Sequence, residues 1–367
     1  MSIADYVAVA KEVGFGTPAS VADAVAALDG PAESIGDRLR SHHLLGFAQR
    51  ALREAGSDVR VSAELRDALA SRRPIQRAAP EVLLDLFIEV RRALAETGID
   101  AVLLKGLLFA ERLYGGIDRR PQFDVDVLVR RRELRRAARV LTRIGFESEA
   151  YDLHSRTVIR DGVKVDLHGS LRWAPAYRLD EETLWADVRE VALSGTVVPT
   201  LSDEHTLVLL VLAAFEDLGQ GTANLKQMLD VALFLRDVDP SVDWECFLTR
   251  RASENLLDPT VNVLALVVDV FAMEASVPAL AAALARHAAL VDHRGREAAL
   301  VLLGAEPKSA ASLAWFARVY PGSMAAWLAW FWASGFPENL QRVGRPWLAQ
   351  MRAVIRERVP LARLRVR

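Results

Sequence analysis

The six residues Asp124-Val125-Asp126-Val127-Leu128-Val129 constrain the fold of this chain more than any other stretch. Acid alternates with aliphatic, the period of a β-strand whose side chains point to opposite faces in turn. As a strand, the segment puts Asp124 and Asp126 on one face and sends Val125, Val127 and Val129 into a core. Two neighbouring carboxylates repel each other, and a hard divalent cation with oxygen ligands relieves that repulsion. The plain alternative is a pair of acids decorating the wet face of a half-exposed sheet. On this stretch alone the two readings are even.

A second segment, His154 to Leu171, shifts the balance. Asp161-Gly162 lies between two β-rich runs and is a strong short-range hairpin signal. On the returning strand Val163, Val165 and Leu167 share one face, while Lys164, Asp166 and His168 share the other. Asp166 thus repeats the pattern of the first pair, acid outward and aliphatic inward.

Upstream, Ile99 to Leu104 reads as a strand that stops at Lys105-Gly106, and Leu107 to Tyr114 as a helix. Gly115-Gly116 then opens an irregular connection to Phe123. A glycine between strand and helix lets a phosphate approach the backbone with no Cβ in the way and faces it with helix N–H groups. Phosphoryl transfer from a nucleotide asks little covalent work of a protein. It needs cations to neutralise the phosphates and hold the attacking and leaving oxygens in line. Two Mg²⁺ ions about 3.5–4 Å apart require carboxylates close together. Asp124, Asp126 and Asp166 would supply them as metal ligands and catalytic groups, and Lys105, Arg119 and Arg120 would add positive charge near the β and γ phosphates.

The order LKG, then RxxxFDVDVLV, then VDLH resembles the uncharacterised nucleotidyltransferase family of the polymerase-β-like superfamily. The likeness runs from about Pro80 to Trp173 and continues more weakly into Asn224 to Leu235, whose LKQMLDVALFL looks like a helical motif of that family. The resemblance implies that Lys226 and Asp230 face the nucleotide cleft together with Lys105, Gly106, Arg119 and Arg120. Their i, i+4 spacing by itself describes only a surface ion pair, worth a few tenths of a kcal/mol. His168 stands where the family tends to carry histidine. The superfamily's usual Gly-Gly or Gly-Ser pair is here Gly106-Leu107.

Elsewhere the chain is helical in pattern. Several short helices are expected from Ser2 to about Ala70, one of them carrying Leu39, Leu44, Leu45, Ala48 and Leu52, with His42 and His43 inside it and a stop at Gly56. Adjacent helical residues point about 100° apart, so these histidines do not share a metal and read as surface or packing residues. Pro80 to Thr97 is a strong helix with an apolar stripe of Leu83, Leu84, Phe87, Val90 and Leu94, ended by Gly98. A helix from Glu133 to Ile144 follows the acid strand. Its run of arginines, Arg130 to Arg143, lacks interleaved aromatics and reads as a solvated face. Helices continue from Asp203 onward, with Ser202 as a cap. The aromatic group from Trp315 to Trp332 reads as core, and the arginines from Arg342 to Arg367 as a solvated tail.

A net charge of −2 over 367 residues provides no global field for nucleic acid or acidic lipid. The only cysteine, Cys246, excludes an internal disulfide, fits a cytoplasmic, reducing compartment and reads as a small core residue. No basic, apolar leader opens the chain, and its apolar runs are too short for a membrane span.

The expectation is an α+β protein, with a mixed, mostly antiparallel polymerase-β-like sheet flanked by helical regions. Residues 1–79 would form an N-terminal helical region, 80–200 the catalytic core and 201–367 a C-terminal helical domain, with the nucleotide between sheet and C-terminal helices. The expected activity is Mg²⁺-dependent transfer of a nucleoside monophosphate, from ATP or another triphosphate, to a small-molecule, peptide or protein acceptor, with release of pyrophosphate. Leu107 motivates a second reading, a nucleotide-binding scaffold without turnover. A third, RNA modification, leans on the arginine run and the basic tail and predicts affinity that falls steeply with salt.

Overall fold

The computed structural model describes residues 2–322 except 57–60, 73–78, 152–154, 173–175, 294 and 306–308. The tryptophans from Trp327 to Trp332, the basic tail and His154 lie outside the described residues. The chain divides into two compact units, one of Met1–Leu171, Glu181–Thr206 and Asn224–Asp237, the other of Arg172–Asp180, Leu207–Ala223 and Val238–Arg367.

In the first unit, five short helices precede the sheet: α1 (Ile3–Phe15), α2 (Pro18–Ala26), α3 (Ala32–Ser41), α4 (Leu45–Glu54) and α5 (Ala63–Ser71). The single helix expected through His42 and His43 is in fact two. His43 has φ 59°, and the N–H groups of His43 and Leu44 bond back to the carbonyls of Arg40 and Leu39. This is a Schellman closure with histidine at the position usually taken by glycine. It breaks the helix while leaving Leu39, Leu44, Leu45, Ala48 and Leu52 buried on one side.

Helix α6 (Pro80–Ala95) follows, with Pro80 in its first turn and Gly98 at φ 72° just past its end. Strand β1 is shorter than expected: only Val102–Leu103 enter the ladder, although Ile99 and Ala101 are buried. Next come α7 (Leu107–Tyr114), β2 (Asp124–Leu128), a single 3₁₀ turn, α8 (Leu134–Arg143), β3 (Glu147–Tyr151), β4 (Ser155–Arg160) and β5 (Val163–His168). Asp161 and Gly162 turn the β4–β5 hairpin with φ of 51° and 77°, the pair of positive values that a two-residue hairpin of matching twist requires. Arginines 131, 132, 135, 136, 139 and 143 are exposed around α8, a solvated face.

Residues 189–200, where the sequence pattern announces no element, form a second hairpin. After α9 (Glu181–Ala186), β6 (Arg189–Leu193) and β7 (Thr196–Thr200) turn at Ser194-Gly195, again with both φ values positive. The seven strands lie in the order β3-β4-β5-β2-β1-β7-β6. Pairs β2–β5 and β1–β7 are parallel, and the other four are antiparallel. The acid strand β2 therefore lies at the centre of a mixed sheet.

One face of that sheet is closed by α6 and α8. Val125, Val127, Val129, Val165 and Leu167 pack there with Phe87, Val90, Leu94, Leu134 and Val140 in a single apolar cluster. Burying a side chain of this size stabilises by roughly 1.5–3 kcal/mol. A slip of one residue in β2 would send its valines to the opposite face, so the register is strongly specified.

Helix α10 (Asp203–Gln220) runs from the first unit into the second, and α11 (Leu225–Val238) belongs to the first apart from its last residue. In the second unit α12 (Trp244–Ser253), α14 (Pro278–Arg286), α15 (Arg296–Leu303) and α16 (Ala310–Val319) all pack on α13 (Leu257–Phe271), which is buried along nearly its whole length. Phe316 stacks on Phe215 with ring centroids 4.6 Å apart, and Trp315 lies 5.5 Å from Phe215, so this end of the aromatic group is core. Cys246 is exposed, contrary to expectation: Trp244, Phe247 and Leu248 form the inward face of α12, and its neighbour points off it. Among the described residues, no helix is long and apolar enough to cross a membrane.

Candidate active site

On the face of the sheet opposite the valines, the parallel β2–β5 pair sets Asp126 directly beside Asp166. Asp124, two residues earlier on β2, shares their face because strand side chains alternate. One carboxylate oxygen from each of the three lies within 4.8 Å of the others. Residues far apart along the chain are thus brought together as the alternation predicts. The site consists of hard oxygen donors, which suit Mg²⁺ or Mn²⁺ and not a thiophilic metal.

Their environments differ sharply. Burial pushes the Asp124 carboxyl up to about 7, with the charges of Asp126 and Asp166 acting in the same direction and Lys105 against them. Burial also works against ionisation of Asp126, which is only 4 % exposed. There it is outweighed by Lys105, whose Nζ lies 3.3 Å from Oδ1, and by His168, whose Nε2 lies 2.9 Å from the same oxygen. The net effect holds Asp126 well below the usual carboxylate range. An ionised carboxylate can only accept, so His168 Nε2 is the donor. Thr157 on β4 donates its hydroxyl to Asp166 Oδ1.

Gly106 caps the start of α7 with φ 65° and ψ −106°. An ideal Cβ there would stand 3.2 Å from Gln122 Oε1, so this turn is fitted to glycine. Lys105, just before it, reaches the acids directly.

The remaining predicted residues take other partners. Lys226 and Asp230 are both buried on α11, so the surface ion pair suggested by their spacing does not describe them. Asp230 instead accepts from Arg120 at 2.9 and 2.6 Å and from the Tyr114 hydroxyl at 2.8 Å. Arg120 is buried and committed to this two-pronged contact. Lys226 Nζ points to the carbonyl of Pro121 at 3.4 Å and sits 4.9 Å from the centroid of the Phe123 ring. Burial, reinforced by the charge of Arg120, holds the Lys226 amine down to about 7. Arg119 is exposed and reaches Glu54 at 3.4 Å.

Two aromatic side chains pack beside this group, one of them His43, which its position in the sequence marks as a surface or packing residue. Phe123, directly before Asp124, is flanked by Lys226 on one side and on another by the His43 ring, edge-on at 4.9 Å. Burial, with Lys226 and Arg120 nearby, lowers the His43 imidazole to about 4, so it is neutral at physiological pH. No local pattern announces His43, because its role depends on the break between α3 and α4.

A mixed sheet that presents an acid-x-acid strand beside a third acid, behind a glycine turn, defines a nucleotidyltransferase-like protein. Over residues 32–272, more than half its length, the chain matches the family described as uncharacterised nucleotidyltransferase, and it belongs to that family. Among solved structures, it is similar to an antigenic nucleotidyltransferase-like protein from Paracoccidioides brasiliensis, with 16% identity and a TM-score of 0.35. That alignment covers 56% of this chain and 93% of the other. No curated protein matches.

Proposed function

We propose that this protein transfers a nucleoside monophosphate from a nucleoside triphosphate, ATP among the candidates, to an acceptor hydroxyl or similar group on a small molecule, peptide or protein. The observation that carries the reading is the convergence of Asp124, Asp126 and Asp166 within 4.8 Å. The donor set fits divalent cations: three carboxylates crowd together, and burial leaves Asp124 reluctant to ionise without added positive charge. Such cations, Mg²⁺ by this reading, would be held by the three aspartates and would supply neutralisation of the triphosphate charge.

The chain's own residues then have distinct tasks. Gly106 and the first N–H groups of α7 receive phosphate oxygens, a task that suits a backbone with no Cβ in the approach. Lys105 holds Asp126 ionised and adds charge beside the phosphates. His168 fixes the orientation of the Asp126 carboxylate. Asp166 takes the proton of the acceptor hydroxyl as its oxygen bonds to the α-phosphorus and the bond to the β-phosphate oxygen breaks, releasing pyrophosphate. Lys226 and Arg120, through Phe123 and Asp230, brace the segment that delivers Asp124.

Incubating the protein with each α-labelled triphosphate and Mg²⁺, with and without cell extract, tests this reading. The expected result is label transfer with pyrophosphate release, lost in Asp126→Asn. A second reading is favoured by Leu107, which is buried at the position where a phosphate-binding serine is common in the superfamily. It is a protein of the same fold that binds nucleotide without turnover. Saturable nucleotide binding with no pyrophosphate under any of these conditions would select it.

A further inference from the structure

Helices α4 and α5 and the segment 118–121 line an open cavity of about 700 Å³ within the first unit. Among the described residues, its walls carry Arg50, Arg53, Arg66, Arg72 and Arg119, against one lining acid, Asp118. Like charges repel, so a chain with a net charge of −2 does not gather five arginines around one space without cost.

Three of the five have neighbours. Arg72 bonds Asp37 Oδ1 at 3.0 Å and the Glu33 carbonyl at 2.8 Å, Arg119 reaches Glu54 at 3.4 Å, and Arg50 meets the Asp118 carboxylate at 3.8 Å. Among the described residues, no carboxylate pairs with Arg53 or Arg66. Burial holds the Arg50 guanidinium below its ordinary value, and Arg119 and Arg53 add to this even though Asp118 and Glu54 oppose it. An anion in the cavity would relieve that excess of positive charge.

The cavity is also built. Gln49 Nε2 donates to the carbonyls of Leu69 and Arg72 at 2.6 and 2.8 Å, tying α4 to the end of α5. Leu52 and Leu69 contribute buried apolar wall. Apolar walls with a few converging polar groups, at this volume, are the usual make-up of a small-molecule site. Guanidinium forks match phosphate oxygens in pairs, and a phosphate monoester supplies close to two negative charges on three acceptor oxygens. Among the described residues, no aromatic side chain lines the cavity, whereas a surface for single-stranded nucleic acid stacks bases on aromatics.

We infer that this cavity binds a phosphate-bearing small molecule. The site is continuous in sequence with the candidate active site. Pro121, which lines the cavity, accepts from Lys226, and two residues later Phe123 leads into Asp124. The inference does not depend on nucleotidyl transfer.

The test is calorimetric titration of the full chain at low salt in EDTA. Without divalent cations the three aspartates repel phosphate, so binding at the acids is silent. The probes are inorganic phosphate, pyrophosphate and glucose 6-phosphate, with glucose and a short single-stranded RNA as comparisons. At least one phosphate probe is expected to bind saturably while glucose does not. Arg53→Gln and Arg66→Gln each weaken that binding by about tenfold, the loss of one charge-assisted contact. Both arginines sit on the cavity rim or wall without an ion-pair partner among the described residues, and their variants keep the parent melting temperature. Asp126→Asn leaves the binding unchanged. The inference is overturned if no phosphate probe binds, if both arginine variants bind like the parent, or if Asp126→Asn abolishes binding. Retention of RNA without any phosphate probe would also overturn it, in favour of a nucleic-acid surface.

Discussion

His168 Nε2 lies 2.9 Å from Asp126 Oδ1, although 42 residues separate them in sequence. The contact exists because β5 runs parallel beside β2 with Asp126 opposite Asp166, and His168 follows two residues later on the same face. With Lys105 on the same oxygen, the histidine keeps the most buried of the three acids ionised.

Removing that contact has a specific consequence. His168→Ala is expected to weaken divalent-cation binding by roughly 10–100-fold, as is usual when a partner that orients a metal ligand is lost. The three aspartates stay in place, so the fold is retained. Calorimetric titration with Mn²⁺ and Mg²⁺ measures this; unchanged affinity in the alanine variant would show that His168 does not tune the acids.

Asp124 dictates how metal and pH interact. Its folded pKa of about 7 lies above the unfolded value of about 3.9. Between those values the unfolded chain has already lost the proton that the fold retains, so this group disfavours the metal-free fold as pH rises. Asp126 acts with the opposite sign: its depressed carboxyl contributes stability above the unfolded value that is lost as the pH falls below it. Cation binding needs Asp124 ionised. The increase in melting temperature on adding Mg²⁺ is therefore expected to be larger at pH 8 than at pH 6. Asp124→Asn should raise the metal-free melting temperature at pH 8 and erase the response to Mg²⁺. Equal metal responses at both pH values would contradict this account.

The Arg120–Asp230 pair is expected to be structural in its energetics. Both are nearly fully buried and joined by two hydrogen bonds. Arg120→Ala leaves Asp230 charged and uncompensated except by Tyr114 and Lys226, at a cost of about 3–5 kcal/mol. The double variant Arg120→Ala, Asp230→Ala should be less destabilised than Arg120→Ala alone. Urea unfolding of the set decides between coupling and simple additivity.

Two glycines separate backbone cost from site geometry. Gly162 has φ 77° with open space where a Cβ would go, so Gly162→Ala should cost about 1–2 kcal/mol from backbone alone. Gly106, at φ 65° and ψ −106°, lies outside the left-handed region open to other residues, and Gln122 stands in the way of a Cβ. Gly106→Ala is expected to be the more destabilising and to weaken triphosphate binding in the presence of Mg²⁺. Thermal melts with and without nucleotide compare the two directly.

Much of this arrangement was legible in the chain. The alternation over residues 124–129 and 163–168 set the aspartates of each strand on one side and six aliphatics on the other, and Asp161-Gly162 announced the turn between β4 and β5. Pro80 and Gly98 marked the ends of α6 through local backbone preferences alone. The hairpin of β6 and β7 is not legible despite its Ser194-Gly195 turn, because Glu190, Ala192 and Pro199 blur its alternation. The break at His43 was hidden because an imidazole took a backbone conformation usually left to glycine.

What the sequence determined by itself was local: side-chain parity along strands, turn residues with positive φ, and the apolar stripes of helices. These depend on a few neighbouring residues and their backbone energetics. Tertiary structure alone decided the pairings. It chose β5 as the parallel neighbour of β2, gave Asp230 to Arg120 in place of Lys226, and set His168 on Asp126. Spacing along a helix offers a charge a partner, but burial makes an unpaired charge costly. The partner it takes is the one that packing brings within reach.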